Sequence, residues 1–147
     1  NKNFKSILKN KSKSRQIKNN FNYTSQSTLL TGKNIKEAIV AGRNLNINLL
    51  NKFEVLIKNC FPNLDLDTKI KSLSGGQIKI VALLRSLYSN KKYHLFDEIF
   101  SGVDVLTAKK CIQFIRINYK NTFFVIVDHN TIEAEDADYV VNLLKKN

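Results

Sequence analysis

The sequence predicts an α/β fold built on a parallel sheet. Three observations carry that expectation. Residues 93–96 form a short, mostly apolar run closed by two adjacent carboxylates, Asp97 and Glu98. A buried strand ending this way delivers its carboxylates to the carboxyl edge of a parallel sheet, where α/β proteins place their ligands. Phe123, Phe124, Val125, Ile126 and Val127 form a near-continuous apolar run, as strands covered on both faces do. The segments before and between these runs carry apolar residues at helical spacing.

The chain has 147 residues and 43% hydrophobic content, enough for about one domain with a real core. It opens on Asn1 and not on Met, so it is expected to be a piece of a longer protein. No apolar run approaches the roughly 18 residues that span a bilayer. Cys60 and Cys111 lie far apart without metal-ligand companions and read as reduced core thiols of a cytosolic protein. The net charge of +12 raises a nucleic-acid reading, but its distribution argues against one. Residues 1–36 carry nine Lys or Arg and no acid, whereas the remainder carries 15 basic and 12 acidic residues. The excess sits in one Lys/Asn/Ser-rich segment without interleaved stacking aromatics, which fits a compositional bias; nucleic acid is an unlikely partner.

In chain order, Ile7 and Leu8 suggest a short edge strand and residues 14–17 a turn before a strand over residues 21–24. Asn34 and Glu37 have N-cap and capping-box spacing, Ile35, Ala38 and Ile39 share a face, and Gly42 ends that helix. Leu49, Leu50, Phe53, Leu56, Ile57 and Cys60 mark a second helix over residues 46–60, stopped by Pro62. A third helix begins at Ser74-Gly75-Gly76-Gln77 and buries Ile80, Leu83, Leu84, Leu87 and Tyr88, with Lys79 and Arg85 on its polar side. Asn90, Lys91 and Lys92 turn the chain into the strand that ends at Asp97, and His94 within that strand reads as a core histidine with a local partner. Asp104 starts a fourth helix with Val105, Ala108, Cys111, Ile112 and Ile115 inward. After the strand over residues 123–127, a short helix over residues 131–137 and a last strand over residues 139–143 complete the pattern, with Asp138 just before that strand.

Three stretches carry chemistry. Ser74, Gly75, Gly76 and Gln77 offer a hydroxyl and two side-chain-free amides at a helix N-terminus, where N–H groups and dipole favour an anion such as phosphate. Asp97 and Glu98 supply one carboxylate suited to Mg²⁺ and a second able to take a proton from an attacking water. Ser101-Gly102-Val103-Asp104 reads by itself as a turn with Asp104 as a cap. Taken singly, each of these is more often an ordinary turn or strand end; their order and compact spacing lift them together.

In that order the residues resemble the ATP-binding cassette (ABC) ATPases. Leu73-Ser74-Gly75-Gly76-Gln77 resembles the family signature, Asp97-Glu98 the Walker B aspartate with its catalytic glutamate, and Ser101 to Asp104 the D-loop. Gln26, directly after the first strand, stands where the family has its Q-loop glutamine. Residues 26–39, with Leu29, Leu30, Gly32, Ile35, Glu37 and Ile39, are similar to the exporter-type pattern after that loop. His129, at the end of the apolar strand, matches the switch histidine. Asp128 departs from the Ser or Thr more usual before it, and His94 from the aliphatic residue usual in the Walker B strand.

The resemblance implies a partial P-loop NTPase (RecA-like) core with an α-helical ABC subdomain. Residues 1–33 would belong to the core with the Q-loop, residues 34–90 to the helical subdomain, and residues 91–147 to the core again. It further implies ATP and Mg²⁺ as cofactors. Glu98 and His129 would be catalytic, and Asp97 and Gln26 metal-binding. Gln26, Ser74, Gly75, Gly76, Gln77, Ser101 and Asp104 would contact nucleotide, with the signature serving the ATP held by a second nucleotide-binding domain. The other implied partner is the transmembrane part of a transporter, which places the chain on the cytoplasmic side of the membrane. No Gly-x-x-x-x-Gly-Lys-Ser/Thr loop occurs in the sequence, so this stretch alone is expected to bind ATP poorly. An ABC-type ATPase of DNA repair or chromosome maintenance is the alternative, because such proteins share the same signature and Walker B residues.

Overall fold

The computed structural model describes residues 19–27, 29–129 and 137–141. Strand β1 (Phe21–Thr24) is followed by helices α1 (Ile35–Val40), α2 (Ile47–Cys60) and α3 (Gly75–Tyr88), with a short 3-10 turn at Ile70–Ser72. Strand β2 (Tyr93–Asp97), helix α4 (Val105–Asn118) and strand β3 (Phe123–Val127) complete the order. The three strands form one sheet in the order β1-β2-β3, and both pairings are parallel. Thr24 pairs with Phe96 and Asp97 with Val127, so all three chains leave the sheet at the same edge.

Local chemistry explains the helix ends. Asn34, Asn46, Ser74 and Asp104 are the N-caps, each accepting a hydrogen bond from a backbone N–H three residues on. At α1 the reciprocal bond of the capping box is shifted by one residue, because the Glu37 carboxylate accepts from the Lys33 N–H at 2.9 Å. Helix α1 closes on Ala41 in the left-handed conformation, with Gly42 also at positive φ just after it. Pro62 lies two residues beyond the end of α2, at Cys60.

Helix α3 lies at the centre of the core. Ile80, Val81, Ala82, Leu83, Leu84, Ser86, Leu87 and Tyr88 are all buried, a wider face than the five positions expected. Phe53 of α2 fills the space between α3 and α4, its ring 6.4 Å from Tyr88 and 5.9 Å from Phe114. His94 is buried on the same side, with its ring stacked on Phe124 at 5.2 Å. Its Nδ1 lies 2.9 Å from the Ser86 hydroxyl and its Nε2 3.0 Å from the Lys91 carbonyl. A carbonyl can only accept, so Nε2 carries the proton and Nδ1 accepts from Ser86. Burial lowers the His94 pKa, and the Lys91 carbonyl opposes this in part.

Three expectations change. Helix α4 buries Ala108, Cys111, Ile112 and Ile115 as expected, but Val105 at its first position is exposed and Thr107 is buried beside them. Residues 139–141 are not in a strand, and residues 142–143 of that expected strand lie outside the described residues. Ala137 is not helical, and residues 131–136, with the expected features at 7–8 and 14–17, also lie outside.

The sheet has two unlike faces. Asn22, Thr24, His94 and Phe96 turn toward the helices, whereas Phe21, Tyr23, Tyr93, Phe123, Val125 and Val127 are exposed among the described residues. A parallel sheet is normally covered on both faces.

Candidate functional site

The carboxyl edge of the sheet collects polar side chains from three separate parts of the chain. Gln26 follows β1 by two residues, Glu98 follows β2 directly, and His129 follows β3 by two. The Gln26 Nε2 donates to one oxygen of the Glu98 carboxylate. On the other side, His129 Nε2 lies 3.3 Å from Glu98 Oε1. Both oxygens of one carboxylate are thus held from flanking strands. The Glu98 side chain is only 22% exposed and His129 78%, so the carboxylate is recessed behind an open histidine.

Backbone geometry fixes where Glu98 points. Its N–H donates to Val127 O at 2.8 Å, extending the β2–β3 ladder by one bond. Its φ of 52° is left-handed, a conformation that costs a non-glycine residue roughly 1–2 kcal/mol. The chain turns out of the sheet there, and Ser101 N–H bonds back to Glu98 O at 3.2 Å. Lys79, from the second turn of α3, closes this turn: its Nζ donates to Glu98 O at 3.1 Å and to Ser101 O at 2.6 Å. In the sequence Lys79 was only a polar-face position, since its acceptors lie 19 and 22 residues on.

Asp97 is held differently. The Tyr23 hydroxyl donates to Asp97 Oδ2 at 3.0 Å. That bond, with the nearby carboxylate charge, raises the Tyr23 pKa. No group of three or more His, Cys, Asp or Glu among the described residues is arranged to hold a metal ion by itself. The oxygens at this edge, the Asp97 carboxylate and the Gln26 side-chain carbonyl, are nevertheless the hard donors that Mg²⁺ takes when phosphates complete its shell.

Ser74 caps α3, and Gly75, Gly76 and Gln77 form its first turn. Ser74 Oγ accepts from Gln77 N–H at 3.3 Å, and Gln77 Oε1 accepts from Ser74 N–H at 2.9 Å. This reciprocal pair rigidifies the helix start and aims its positive end outward. Gly75 has open space where a Cβ would stand, whereas a Cβ on Gly76 would lie 3.0 Å from the Gly102 carbonyl. Gly76 therefore lets the 101–104 turn approach the helix closely. Asp104 caps α4 through Thr107 N–H at 2.9 Å, and this bond lowers its pKa. The structure thus brings Gln26, Glu98 and His129 together through side chains. It joins the signature helix to the 101–104 turn through Gly76 and Lys79. A cleft of about 560 Å³, lined by Thr31, Gly32, Asn34, Lys36, Glu37 and Asp67 among others, touches none of these residues, whereas one of about 360 Å³ is lined by Tyr23, Thr24, Ser25 and Ser27 beside them; the carboxylates stand at an open strand edge.

These features define an α/β protein whose reactive groups gather at the carboxyl ends of parallel strands, beside a capped glycine-containing helix start. Comparisons with known proteins specify the class. No family model matches the sequence. The ABC transporter NFT1 of Saccharomyces cerevisiae is 32% identical over 143 residues, which is 85% of this chain and 11% of that protein. The ATP-binding cassette transporter abc1 of Schizosaccharomyces pombe is 41% identical over 61 residues, 40% of this chain and 4% of that protein. A bacterial Atm1-family ABC exporter solved with ATP bound shares the fold with a TM-score of 0.68 at 22% identity, covering 79% of this chain and 22% of that one. The chain belongs to the ABC transporter ATPases, as part of an ATP-binding domain. It spans about a tenth or less of the length of these two relatives. Among the described residues no helix is long and apolar enough to cross a membrane.

Proposed function

We propose that this chain supplies the catalytic carboxylate, the switch histidine and the signature helix of an ATP-hydrolysing domain that powers membrane export. The observation that carries this reading is the meeting of Gln26, Glu98 and His129 at one sheet edge, with Glu98 contacted on both oxygens. Glu98 orients and deprotonates the attacking water, and His129 hydrogen-bonds the γ-phosphate. Asp97 and Gln26 would hold Mg²⁺, which would supply charge neutralisation on the transferring phosphate. Gln26 links the metal site to the transmembrane partner.

The core would be the P-loop NTPase (RecA-like) type, with residues 34–90 as the helical subdomain. In a head-to-tail pair, Ser74, Gly75, Gly76 and Gln77 close over ATP held by the second nucleotide-binding domain, and Ser101 and Asp104 line the same interface. The sequence contains no phosphate-cradling glycine loop, so these residues act on nucleotide only with that loop supplied by the rest of the domain. The uncovered face of the sheet, with Phe123, Val125 and Val127, fits a further covering layer of such a domain. The assembly then works at the cytoplasmic side of a membrane.

The test is Glu98→Gln in the full-length protein. Turnover of ATP is expected to fall by roughly 100-fold or more, while nucleotide binding persists. Hydrolysis at the parent rate would remove Glu98 from the base role.

A further inference from the structure

The two cysteines, 51 positions apart in sequence (60 to 111), meet in the fold. Helices α2 and α4 pack antiparallel: Lys52 Nζ donates to Asn118 Oδ1 at 3.2 Å, and Lys110 Nζ donates to Asn59 O at 2.7 Å. The residues directly after Asn59 and Lys110 are Cys60 and Cys111, and their thiols lie close enough to perturb each other. Cys60, the last residue of α2, is half-buried, whereas Cys111 is fully buried in the core. We propose that Cys60 and Cys111 form an oxidisable dithiol whose disulfide tethers α2 to α4.

The two thiols differ as an attacking and a resolving cysteine should. The neighbouring Cys111 thiol and the charge of Lys110 push the Cys60 thiol down, against burial and the Asp104 charge. The neighbouring Cys60 thiol, and then burial, push the Cys111 thiol up. Cys60, half-buried at the end of α2, is therefore the thiol that meets an oxidant from solvent. With a hydroperoxide, the Cys60 sulfur attacks the terminal oxygen. An S–O bond forms, the O–O bond breaks, and the leaving oxygen departs as hydroxide or alkoxide, protonated by water. The Cys111 sulfur then attacks the Cys60 sulfur, the S–S bond forms, and the S–O bond breaks. The released oxygen leaves as water with the Cys111 proton. Both sulfurs are oxidised by one electron each, and the peroxide takes both. A thiol reductant returns the pair to dithiol.

The experiment treats the native full-length protein with a small excess of hydrogen peroxide, blocks free thiols with iodoacetamide, and digests with trypsin without reductant. The expected product joins peptide 59–69 to peptide 111–116, with the summed mass less two hydrogens, and dithiothreitol abolishes it. Hydrogen exchange over residues 47–60 is expected to slow in the oxidised protein and to recover on reduction. In Cys111→Ser the Cys60 sulfenic acid persists and is trapped by dimedone. The proposal is overturned if Cys60 proceeds to sulfinic acid while Cys111 is recovered fully alkylated after unfolding. It is equally overturned if dimedone trapping is the same in parent and Cys111→Ser.

Discussion

Replacing Lys79 with Met keeps the length and most of the volume of the side chain and removes only its cation. Two carbonyls, Glu98 O at 3.1 Å and Ser101 O at 2.6 Å, then lose a charged donor. A hydrogen bond to a charged group contributes about 1.5–3 kcal/mol, but Lys79 is half-buried, so water can reach part of the exposed acceptor surface. Counting one bond as lost and the other as replaced gives roughly 2 kcal/mol of destabilisation. In urea unfolding followed by circular dichroism, this lowers the midpoint at constant slope. The same reasoning predicts where the energy resides. Lys79 holds a turn in which Glu98 is left-handed, and a glycine adopts that conformation without strain. In a Glu98→Gly background, Lys79→Met should therefore cost about 1 kcal/mol less than in the parent. Additive effects of the two changes, or a Lys79→Met variant within about 0.5 kcal/mol of the parent, would refute the latch.

The two signature glycines should part company. Gly75→Ala meets open space and is expected to stabilise by about 0.5–1 kcal/mol through helix propensity, whereas Gly76→Val must displace the Gly102 carbonyl and is expected to cost about 1–3 kcal/mol. Phe53→Ala leaves a cavity among α2, α3 and α4 and should cost about 3–5 kcal/mol, read as a lowered denaturation midpoint. His94 has a folded-state pKa below its usual 6.5. As pH falls through about 6.5 the unfolded chain takes the proton first. The stability His94 gives is thus full above that pH, is lost below it at up to about 1.4 kcal/mol per unit, and levels off past the folded pKa. A His94→Leu variant should have a visibly flatter stability profile between pH 7 and pH 5 (an interval set by the usual histidine pKa of about 6.5); an unchanged slope would place the titration elsewhere.

What could be read in advance depended on how far apart the interacting residues lie. The caps are decided within three residues: Asn34 and Asp104 stand where the sequence put them, and Asn46 and Ser74, read as the first residues of their helices, cap them. The strands over 21–24, 93–97 and 123–127 follow from short apolar runs whose ends are marked by polar residues, and their parallel pairing follows from the helices between them. The edge cluster of Gln26, Glu98 and His129 was legible as three strand ends, though not as two bonds to one carboxylate. Lys79 could not be read from its helix, because any polar-face lysine has the same local pattern and only the packing of α3 under the 98–101 turn selects its acceptors. The Cys60 and Cys111 contact was invisible for the same reason. Two antiparallel helices create it, and the crossing register is set by Phe53 and Phe114 in between. Val105 shows the limit of periodicity at a helix start: the other four apolar positions of α4 read as inward are buried, while its first residue faces out.

Helix α3 gives the site a mechanical property that its separate motifs do not have. Its first turn presents Ser74 and Gln77 to one side, and its second turn grips the carbonyl of Glu98 through Lys79. Gly76 meanwhile admits the Gly102 carbonyl to within contact distance of the helix backbone. A displacement of the helix start is therefore transmitted to the Glu98 turn without passing through solvent-exposed loops, since the links are one close backbone contact and two charged hydrogen bonds. Glu98 is poised to respond, because its left-handed backbone is held by Lys79 and by the Val127 ladder bond together. Loosening either support lets the strained residue relax toward an ordinary conformation and carries its carboxylate away from Gln26 and His129. A ligand that engaged Ser74 to Gln77 would thus act on the geometry of the Glu98 carboxylate, with a coupling energy no larger than the roughly 2 kcal/mol assigned to the Lys79 latch.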